Sequence, residues 1–247
     1  MKYIVSISGG KDSTACLLYM LERVKKEDVI PVFCDTKWEA DETYEYLDYL
    51  EKALDVEIVR IESKGMWALC ERQRFIPSSR LRNCTFELKI KPIEKFLKEN
   101  FIDKKIDFIL VQGIRREESE ARKDTEVFEI KASTSFKKDE KFTYPVLYPI
   151  VYWSVEKVFA YIEEKGIKVN PLYRKGFKRV GCMPCVFASK YELMYLPEKY
   201  KNRLRALEKA ISTKIGKRAL MFEPKTRDKF LRERMLFEVE ELFEEAE

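Results

Sequence analysis

Three groups of residues in this chain have the types and spacing that binding or catalysis requires, and the first is a glycine-rich turn. Ser8-Gly9-Gly10-Lys11-Asp12-Ser13 follows an apolar, β-branched run and precedes a helical pattern. Glycines let backbone N–H groups approach an anion, and a helix N-terminus favours negative charge. Lys11 adds a positive charge, and the two serine hydroxyls add donors. The turn is a candidate phosphate-binding loop, with spacing unlike the P-loop or the dinucleotide fingerprint. The alternative is a Gly-Gly turn that only caps the helix.

The second group consists of cysteines. Cys182-x-x-Cys185 is a close pair of the kind that binds soft metals, and Cys84 is a candidate third ligand. The alternative is that Cys84 is a buried thiol and that the pair belongs to a zinc knuckle. Cys16 and Cys34 fall in apolar helix and strand patterns, so we expect them to pack in the core.

The third group follows two further apolar runs. Asp35-Thr36 ends one run, and Asp35 is a candidate for holding Mg²⁺ or a nucleotide hydroxyl; the alternative is a carboxylate that caps the next helix. Gly113 allows close approach of a ligand to the backbone. Arg115 and Arg122 have the chemistry to clamp phosphates bidentately, although a solvated charged helix has the same composition.

These groups need a scaffold, and strand and helix patterns alternate along the chain. We predict an α/β fold, a doubly wound, mainly parallel sheet with helices on both faces. In such sheets the ligand lies beyond the carboxyl ends of the strands, which is where the turn at residues 8–13, residues 34–36, the stretch after the third strand and residues 112–122 would meet. The predicted strands are Lys2–Ile7, Val29–Cys34, Val56–Ile61 and Phe108–Val111, and the predicted helices cover Thr14–Leu21, Asp41–Leu54 and 92–100.

The second half of the chain is predicted to contain a loop and several helices. Residues 124–143 are polar, which indicates a mobile loop able to close over the site. Ser154 is typical of an N-cap for a helix to Lys165 that Gly166 ends. From Tyr195 onward the pattern is helical, with turns near Pro197, Gly216 and Glu223-Pro224.

The C-terminal part of the chain is strongly charged. Residues 199–234 carry thirteen Lys/Arg against four Asp/Glu, and residues 238–247 carry six Glu. We therefore divide the chain into a domain of residues 1–190 and a basic helical C-terminal region of residues 191–247. The basic residues of the C-terminal region form either a solvated surface or, together with Arg72-x-Arg74 and Arg80-x-Arg82, a surface that faces nucleic acid.

Composition excludes several classes of protein. The 247 residues are 45% hydrophobic and 37% charged, as expected for one large domain or a domain with an appendage. No apolar run approaches the roughly 20 residues of a membrane span, and a core strand at the N-terminus leaves no signal peptide. We therefore expect a cytoplasmic protein with reduced cysteines. The chain has no histidine, which excludes histidine ligands and a histidine base.

The motifs resemble a known family. The turn at residues 8–13 resembles the pyrophosphate-binding loop of the ATP pyrophosphatase (PP-loop) superfamily. Over residues 1–190 the chain resembles the phosphoadenylyl-sulfate (PAPS) reductase-like branch of that superfamily, and an adenine nucleotide alpha hydrolase-like fold is implied. The shared marks are Asp35-Thr36, Cys84 with Lys89 and Pro92, Gly113–Ser119, Pro149 with Trp153, Asn170–Tyr173 and Gly181-Cys182-x-x-Cys185.

The resemblance implies a metal centre and an adenine nucleotide. Iron–sulfur members of this branch bind a [4Fe-4S] cluster through a Cys-Cys pair and a Cys-x-x-Cys pair. The implied ligands here are Cys84, Cys182 and Cys185, because residue 83 is Asn; Cys70 is a candidate fourth ligand. Zinc is the alternative metal.

Three departures from the reductases point to a different reaction, and the first is Asn83 in place of a cluster cysteine. No cysteine follows Cys185, whereas the reductases use one in the C-terminal tail, and Lys11-Asp12 has the form found in ATP-splitting members. We therefore expect an ATP-dependent sulfurtransferase, in which ATP lies on the loop, Asp12 and Asp35 help to hold Mg²⁺, and Lys11 and Arg115 stabilise developing charge. The cluster would supply sulfur from a donor, and a nucleic acid, tRNA or DNA, is the favoured acceptor. We also include a homodimer of this chain among the expected assemblies.

Two alternatives stay open. The first is an adenylyl-sulfate or phosphoadenylyl-sulfate reductase whose nucleophile is replaced or supplied by another chain. The second is a non-catalytic module that binds nucleotide and nucleic acid.

Overall fold

A six-stranded sheet forms the centre of the molecule. The structure is a computed structural model, and it describes residues 1–222. The strands are β1 (Lys2–Ile7), β2 (Val29–Asp35), β3 (Val59–Glu62), β4 (Phe108–Val111), β5 (Phe128–Ala132) and β6 (Thr143–Leu147). The strand order is β3-β2-β1-β4-β6-β5, and every neighbouring pair is parallel except β5 with β6. The predicted doubly wound, mainly parallel sheet is therefore confirmed.

Strand β1 occupies the interior because its side chains are apolar on both faces. Ile4 and Val5 point to opposite faces, and both are fully buried. The chain runs from β1 to β2 on one side, and β4 lies on the other side. This change of direction opens a crevice between the ends of β1 and β4, which is the usual ligand position in such sheets.

Helices cover both faces of the sheet. The helices are α1 (Lys11–Leu21), α2 (Asp41–Leu54), α3 (Gly65–Gln73), α4 (Asn83–Thr85), α5 (Lys91–Leu97), α6 (Val155–Glu164), α7 (Lys190–Met194) and α8 (Glu198–Ile215). Helices α1, α2 and α6 pack on one face, and the helical segment 83–102 packs on the other. That segment contains α4, wider π-helical turns at Phe86–Ile90, α5 and further π-helical turns at Lys98–Ile102.

Local sequence rules account for most of these bounds. Helix α2 has the predicted limits, and the Ser154 hydroxyl accepts a hydrogen bond from the Lys157 N–H at the start of α6. Strand β3 begins later than predicted because the Ile58 N–H donates to the Glu51 carboxylate, at 2.8 Å, instead of to a strand.

The prediction of a mobile loop over residues 124–143 is wrong for part of that segment. Phe128–Ala132 forms β5, whose alternating pattern pairs antiparallel with β6. The next turn is fixed by the buried Glu94 carboxylate, which accepts hydrogen bonds from the N–H groups of Thr134 and Ser135 at 3.0 and 2.8 Å. The polar composition therefore comes from an edge strand and an anchored turn.

The described part of the C-terminal region shares a core with the preceding residues. Leu204, Leu207 and Ile211 of α8 pack with Trp38 and Leu69. Turns occur near Pro197 and Gly216, as predicted. The predicted Glu223-Pro224 turn, the basic residues after 222 and the acidic end lie outside the described residues. Within residues 1–222, no helix has the length and apolar character needed to span a membrane.

Candidate active site

The glycine-rich loop connects β1 to α1 and is folded back on itself. The Ser13 hydroxyl accepts from the Ser8 N–H at 3.1 Å and donates to the Gly10 carbonyl at 2.9 Å. Gly9 has a φ of +73°, and a Cβ there would lie 2.6 Å from the Thr43 methyl group. Glycine is therefore required at this position, and the loop is held open at the end of β1.

The three predicted catalytic residues lie together. The Asp12 carboxylate is 2.7 Å from the Lys11 ammonium and 2.6 Å from the Arg115 guanidinium, which also pairs with Glu117 at 2.6 Å. Burial of Arg115 opposes its charge, but the hydrogen bond and charge of Asp12 raise the pKa of Arg115 above its usual value. One carboxylate thus holds two cations beside the loop, and their catalytic roles stay predictions.

Gly113, at the end of β4, contacts the loop from the other side of the crevice. A Cβ at Gly113 would lie 2.7 Å from the backbone carbonyl group of Asp12 and 2.9 Å from the Ser13 nitrogen. The sequence predicted a close approach to a ligand here, and the structure shows a close approach to the loop backbone.

Gly113→Ala is expected to displace the loop, because backbone atoms cannot yield as a flexible side chain can. Such overpacking costs about 1–3 kcal/mol of the free energy of unfolding. Urea unfolding would measure the loss. Gly10→Ala is the matched control, since its Cβ would meet only side chains, at 3.3 Å or more, and its φ is negative. Equal stability of the two variants would contradict the assigned contact.

A cavity of about 920 Å³ lies over the loop and the end of β4. Six cationic side chains and two carboxylates line it, and Arg122 pairs with one of those carboxylates, Glu118. The excess positive charge suits an anionic ligand. The charged lining residues are Lys11, Lys89, Arg115, Arg122, Lys178, Arg179, Asp12 and Glu118.

Lys89 is a cavity residue to which the sequence patterns assigned no role in the site. Within residues 1–222 its ammonium group has no hydrogen-bond acceptor and no ion-pair partner. The charge of a Cys182 thiolate and then that of Glu39 raise the pKa of Lys89 against the effect of burial. Lys89 is therefore a charged group free to contact an anion in the cavity.

Two of the candidate metal ligands, Cys182 and Cys185, line the same cavity. Burial raises the pKa of the Cys182 thiol to about 12, although Lys89 acts in the opposite direction. Burial and then the charge of Cys185 raise the pKa of Cys84, and burial and then Cys84 raise the pKa of Cys70 to about 12. Cys182 with Cys185, Cys185 with Cys84, and Cys84 with Cys70 are thus pairs close enough to interact electrostatically, and a metal would have to displace protons to bind these thiols.

The turn that carries Cys182 and Cys185 is held by residues 38–40 and by α8. Met183 N–H donates to the Trp38 carbonyl at 2.8 Å, and the Ala40 N–H donates to the Gly181 carbonyl at 3.0 Å. The Arg203 guanidinium donates to the Trp38 carbonyl at 2.9 Å and to the Met183 carbonyl. Helix α8 therefore positions the cysteine turn beside the cavity.

The thiols do not form a compact site for one ion. Among residues 1–222, no group of three or more Cys, Asp or Glu side chains is arranged to hold a single metal ion. Sulfur ligands of one zinc ion each lie about 2.3 Å from it, whereas the ligands of an iron–sulfur cluster bind separate irons. The side chains present are thiols, which are the ligands that iron–sulfur clusters use, so their chemistry fits a cluster. The [4Fe-4S] cluster, the zinc alternative and a fourth ligand at Cys70 all stay predictions.

Three predicted nucleotide-binding residues do not line the cavity. Asp35 accepts hydrogen bonds from the Lys37 N–H and the Tyr44 hydroxyl, both at 2.7 Å. The buried Thr36 hydroxyl donates to Glu39 at 2.7 Å. The carbonyl of Gly9 accepts a hydrogen bond from the side-chain amide of Asn170 at 3.2 Å. Their contacts with nucleotide or Mg²⁺ stay predictions.

Comparison with known proteins identifies relatives of the whole fold. The sequence pattern of the phosphoadenosine phosphosulfate reductase domain matches residues 2–188. A 37.8 kDa protein of Escherichia phage 186 is 32% identical, over 77% of this chain and 68% of that protein. The adenosine 5′-phosphosulfate reductase of Staphylococcus epidermidis is 26% identical, over 74% of this chain and 69% of the enzyme.

A solved structure has the same fold. The crystal structure of phosphoadenylyl-sulfate reductase from Candida auris gives a TM-score of 0.53 at 20% identity, covering 74% of this chain and 81% of that chain. This chain spans only 41% of a Methanocaldococcus jannaschii protein that is 32% identical. The match over residues 2–188 confirms the family resemblance, and the chain belongs to the phosphoadenosine phosphosulfate reductase domain family.

Proposed function

We propose that this chain uses an adenine nucleotide, bound at residues 8–13, in a sulfur-transfer reaction that releases adenosine monophosphate or its 3′-phosphorylated form. The observation that carries the proposal is the single cavity that joins the loop, Lys89 and the thiols of Cys182 and Cys185. A phosphate group on the loop would place the rest of the nucleotide's anionic chain near Lys89.

The first candidate reaction is reductive cleavage of adenylyl sulfate or phosphoadenylyl sulfate. The sequence comparison favours it over ATP-dependent sulfur transfer, because several sequence relatives of this chain are named adenosine 5′-phosphosulfate reductases. A thiolate attacks the sulfate sulfur, an S–S bond forms, and the S–O bond breaks with its electron pair leaving on the nucleotide. A second thiolate then forms a disulfide and releases sulfite. The two thiols come from a dithiol reductant, and Lys89 and Arg115 hold the anionic substrate.

The second candidate is ATP-dependent sulfur transfer to a nucleic acid. The Lys11–Asp12 pair favours it, since Lys11 is placed to stabilise charge on departing pyrophosphate and Asp12 is a ligand of the type that Mg²⁺ prefers. An acceptor oxygen attacks the α-phosphorus and displaces pyrophosphate; a sulfur nucleophile from the donor then displaces adenosine monophosphate. A cluster on Cys84, Cys182 and Cys185 would supply an iron with an open coordination position at which sulfide is held.

Product analysis separates the candidates. Chain purified without oxygen would be incubated with adenylyl sulfate or phosphoadenylyl sulfate and a dithiol, or with Mg²⁺-ATP, sulfide as the sulfur donor, and total RNA or DNA. Sulfite with adenosine monophosphate, or with its 3′-phosphorylated form from phosphoadenylyl sulfate, supports the reductase. Pyrophosphate with adenosine monophosphate supports the transferase. Nucleotide binding without any product would overturn both and leave the non-catalytic module.

The metal centre has a separate readout. Chain purified without oxygen is expected to be brown, with about four irons bound per chain. Cys182→Ser should lower the iron content because it removes a thiolate, whereas Cys16→Ser, in the core behind the loop, should not. Colourless protein that contains zinc would contradict the iron–sulfur assignment without bearing on nucleotide binding.

A further inference from the structure

Two positive charges converge on one aromatic ring beside the cavity. The guanidinium carbons of Arg82 and Arg179 each lie 5.0 Å from the centre of the Phe187 ring. Both arginines are exposed, and in the described part of the chain neither has a carboxylate partner. The two cations therefore lie beside the same ring without a neutralising carboxylate, and an anion bound next to that ring would pair with both of them.

The two arginines belong to segments that contain no acidic residue. Residues 74–82 carry three Arg, and residues 174–191 carry five Lys/Arg, of which Lys175 pairs with Glu42. The nearest following carboxylate, Glu192, is buried and accepts hydrogen bonds from the N–H groups of Lys178 and Arg179 at 3.0 and 2.9 Å. Because the Glu192 carboxylate binds these main-chain N–H groups inside the protein, it does not pair with the exposed cationic side chains, and the surface stays positive.

Exposed aromatic rings lie against the same segment. The rings of Tyr191 and Tyr195 have centres 4.5 Å apart, and the residues are 45% and 39% exposed. The Tyr191 hydroxyl lies so close to Gly176 that a Cβ there would be 2.5 Å away. This contact fixes the tyrosine pair beside the basic segment, and Arg179 also lines the cavity.

We propose that this basic aromatic surface (Arg82, Lys178, Arg179, Phe187, Tyr191 and Tyr195) binds a single-stranded polynucleotide and leads one nucleotide into the cavity. The inference rests on the second candidate under the proposed function, for which it identifies where the acceptor binds. Phosphates contact the cations, and unpaired bases stack on the rings, as in other proteins that bind single strands. An acidic protein would use the charges but not the exposed rings, and a duplex keeps its base faces covered.

The test is fluorescence anisotropy with labelled oligothymidylate and oligouridylate, which distinguish DNA from RNA. The Arg82→Gln/Arg179→Gln variant is expected to bind at least about 10-fold more weakly, and the dependence of log affinity on log salt should lose a slope of about 1.4 for two phosphates. Tyr191→Ala should weaken binding by roughly 5-fold or more without changing the salt slope. Lys104→Gln/Lys105→Gln, in the turn before β4 and so near the amino ends of the strands, removes the same charge and should leave binding unchanged.

Three outcomes would overturn the proposal: unchanged binding by the arginine double variant, equal affinity for a duplex of the same length, or equal competition by polyglutamate. Each would show that paired arginines and exposed rings do not recognise single strands. Binding is measured without nucleotide turnover, so its failure leaves the proposed cleavage reaction standing. If the chain binds oligothymidylate through this surface but turns over no nucleotide, the binding surface is supported and the proposed reaction is overturned.

Discussion

Lys11→Ala is expected to lower kcat/KM for nucleotide cleavage by about 10²- to 10³-fold, the usual loss when one charge-stabilising donor is removed from an enclosed site. The Lys11 side chain is 10% exposed and lies 2.7 Å from the Asp12 carboxylate. As the nucleotide bond breaks, negative charge grows on phosphate oxygens bound at the loop, and Lys11 is the loop's own cation. Release of adenosine monophosphate, measured by chromatography, gives the rate.

The fold should survive this substitution. The main-chain contacts that shape the loop remain, including the Lys11 N–H bond to the Tyr173 hydroxyl at 2.9 Å, and Asp12 keeps its pair with Arg115. Lys52→Ala, on the exposed face of α2, is a control that removes a charge outside the cavity. If Lys11→Ala and Lys52→Ala turn over nucleotide equally well, the assignment of residues 8–13 as the phosphate loop is wrong.

Features encoded in a short stretch of sequence could be predicted. The loop at residues 8–13, helix α2 and the Ser154 cap of α6 depend on neighbours a few positions away. The meeting of the loop with Gly113 followed from the rule that parallel strands bring their carboxyl ends to one edge. These features could be predicted because they depend either on interactions between residues close in sequence or on the order of strands and helices along the chain.

Features that depend on distant residues could not be predicted. Strand β5 looked like a polar loop because its partner and the Glu94 anchor lie elsewhere in the chain. Arg203 belonged to a basic region that suggested a surface, yet it donates to carbonyls of the cysteine turn. Asp35 is the last residue of β2, a position that suits a ligand-binding carboxylate, but its side chain accepts a hydrogen bond from the Tyr44 hydroxyl of α2. Composition does not say which long-range partner a polar group finds.

Lys89→Met is the second substitution with a large expected effect, and it should separate activity from stability. Activity is expected to fall by about 10²-fold or more, because an ammonium in the cavity near Cys182 and Cys185 stabilises an anionic ligand. The free energy of unfolding should change by less than about 1 kcal/mol. Within residues 1–222 the Lys89 side chain has no hydrogen bond or ion pair to lose, and the bond that its carbonyl accepts from the Cys34 thiol, at 3.6 Å, is unaffected.

Lys91→Met is the matched control for this prediction. Lys91 begins the next turn of the same helical segment, but its side chain is 50% exposed and faces Glu87 at 3.9 Å. Lys89→Arg restores the charge and should recover part of the activity, whereas loss of packing alone would not be rescued by a longer cation. Since both methionine variants keep the backbone, equal activities for Lys89→Met and Lys91→Met would mean that the cavity anion is held without Lys89. A large loss confined to Lys89→Met, with unfolding curves that superimpose, would instead place the reacting anion between the phosphate loop and the thiols.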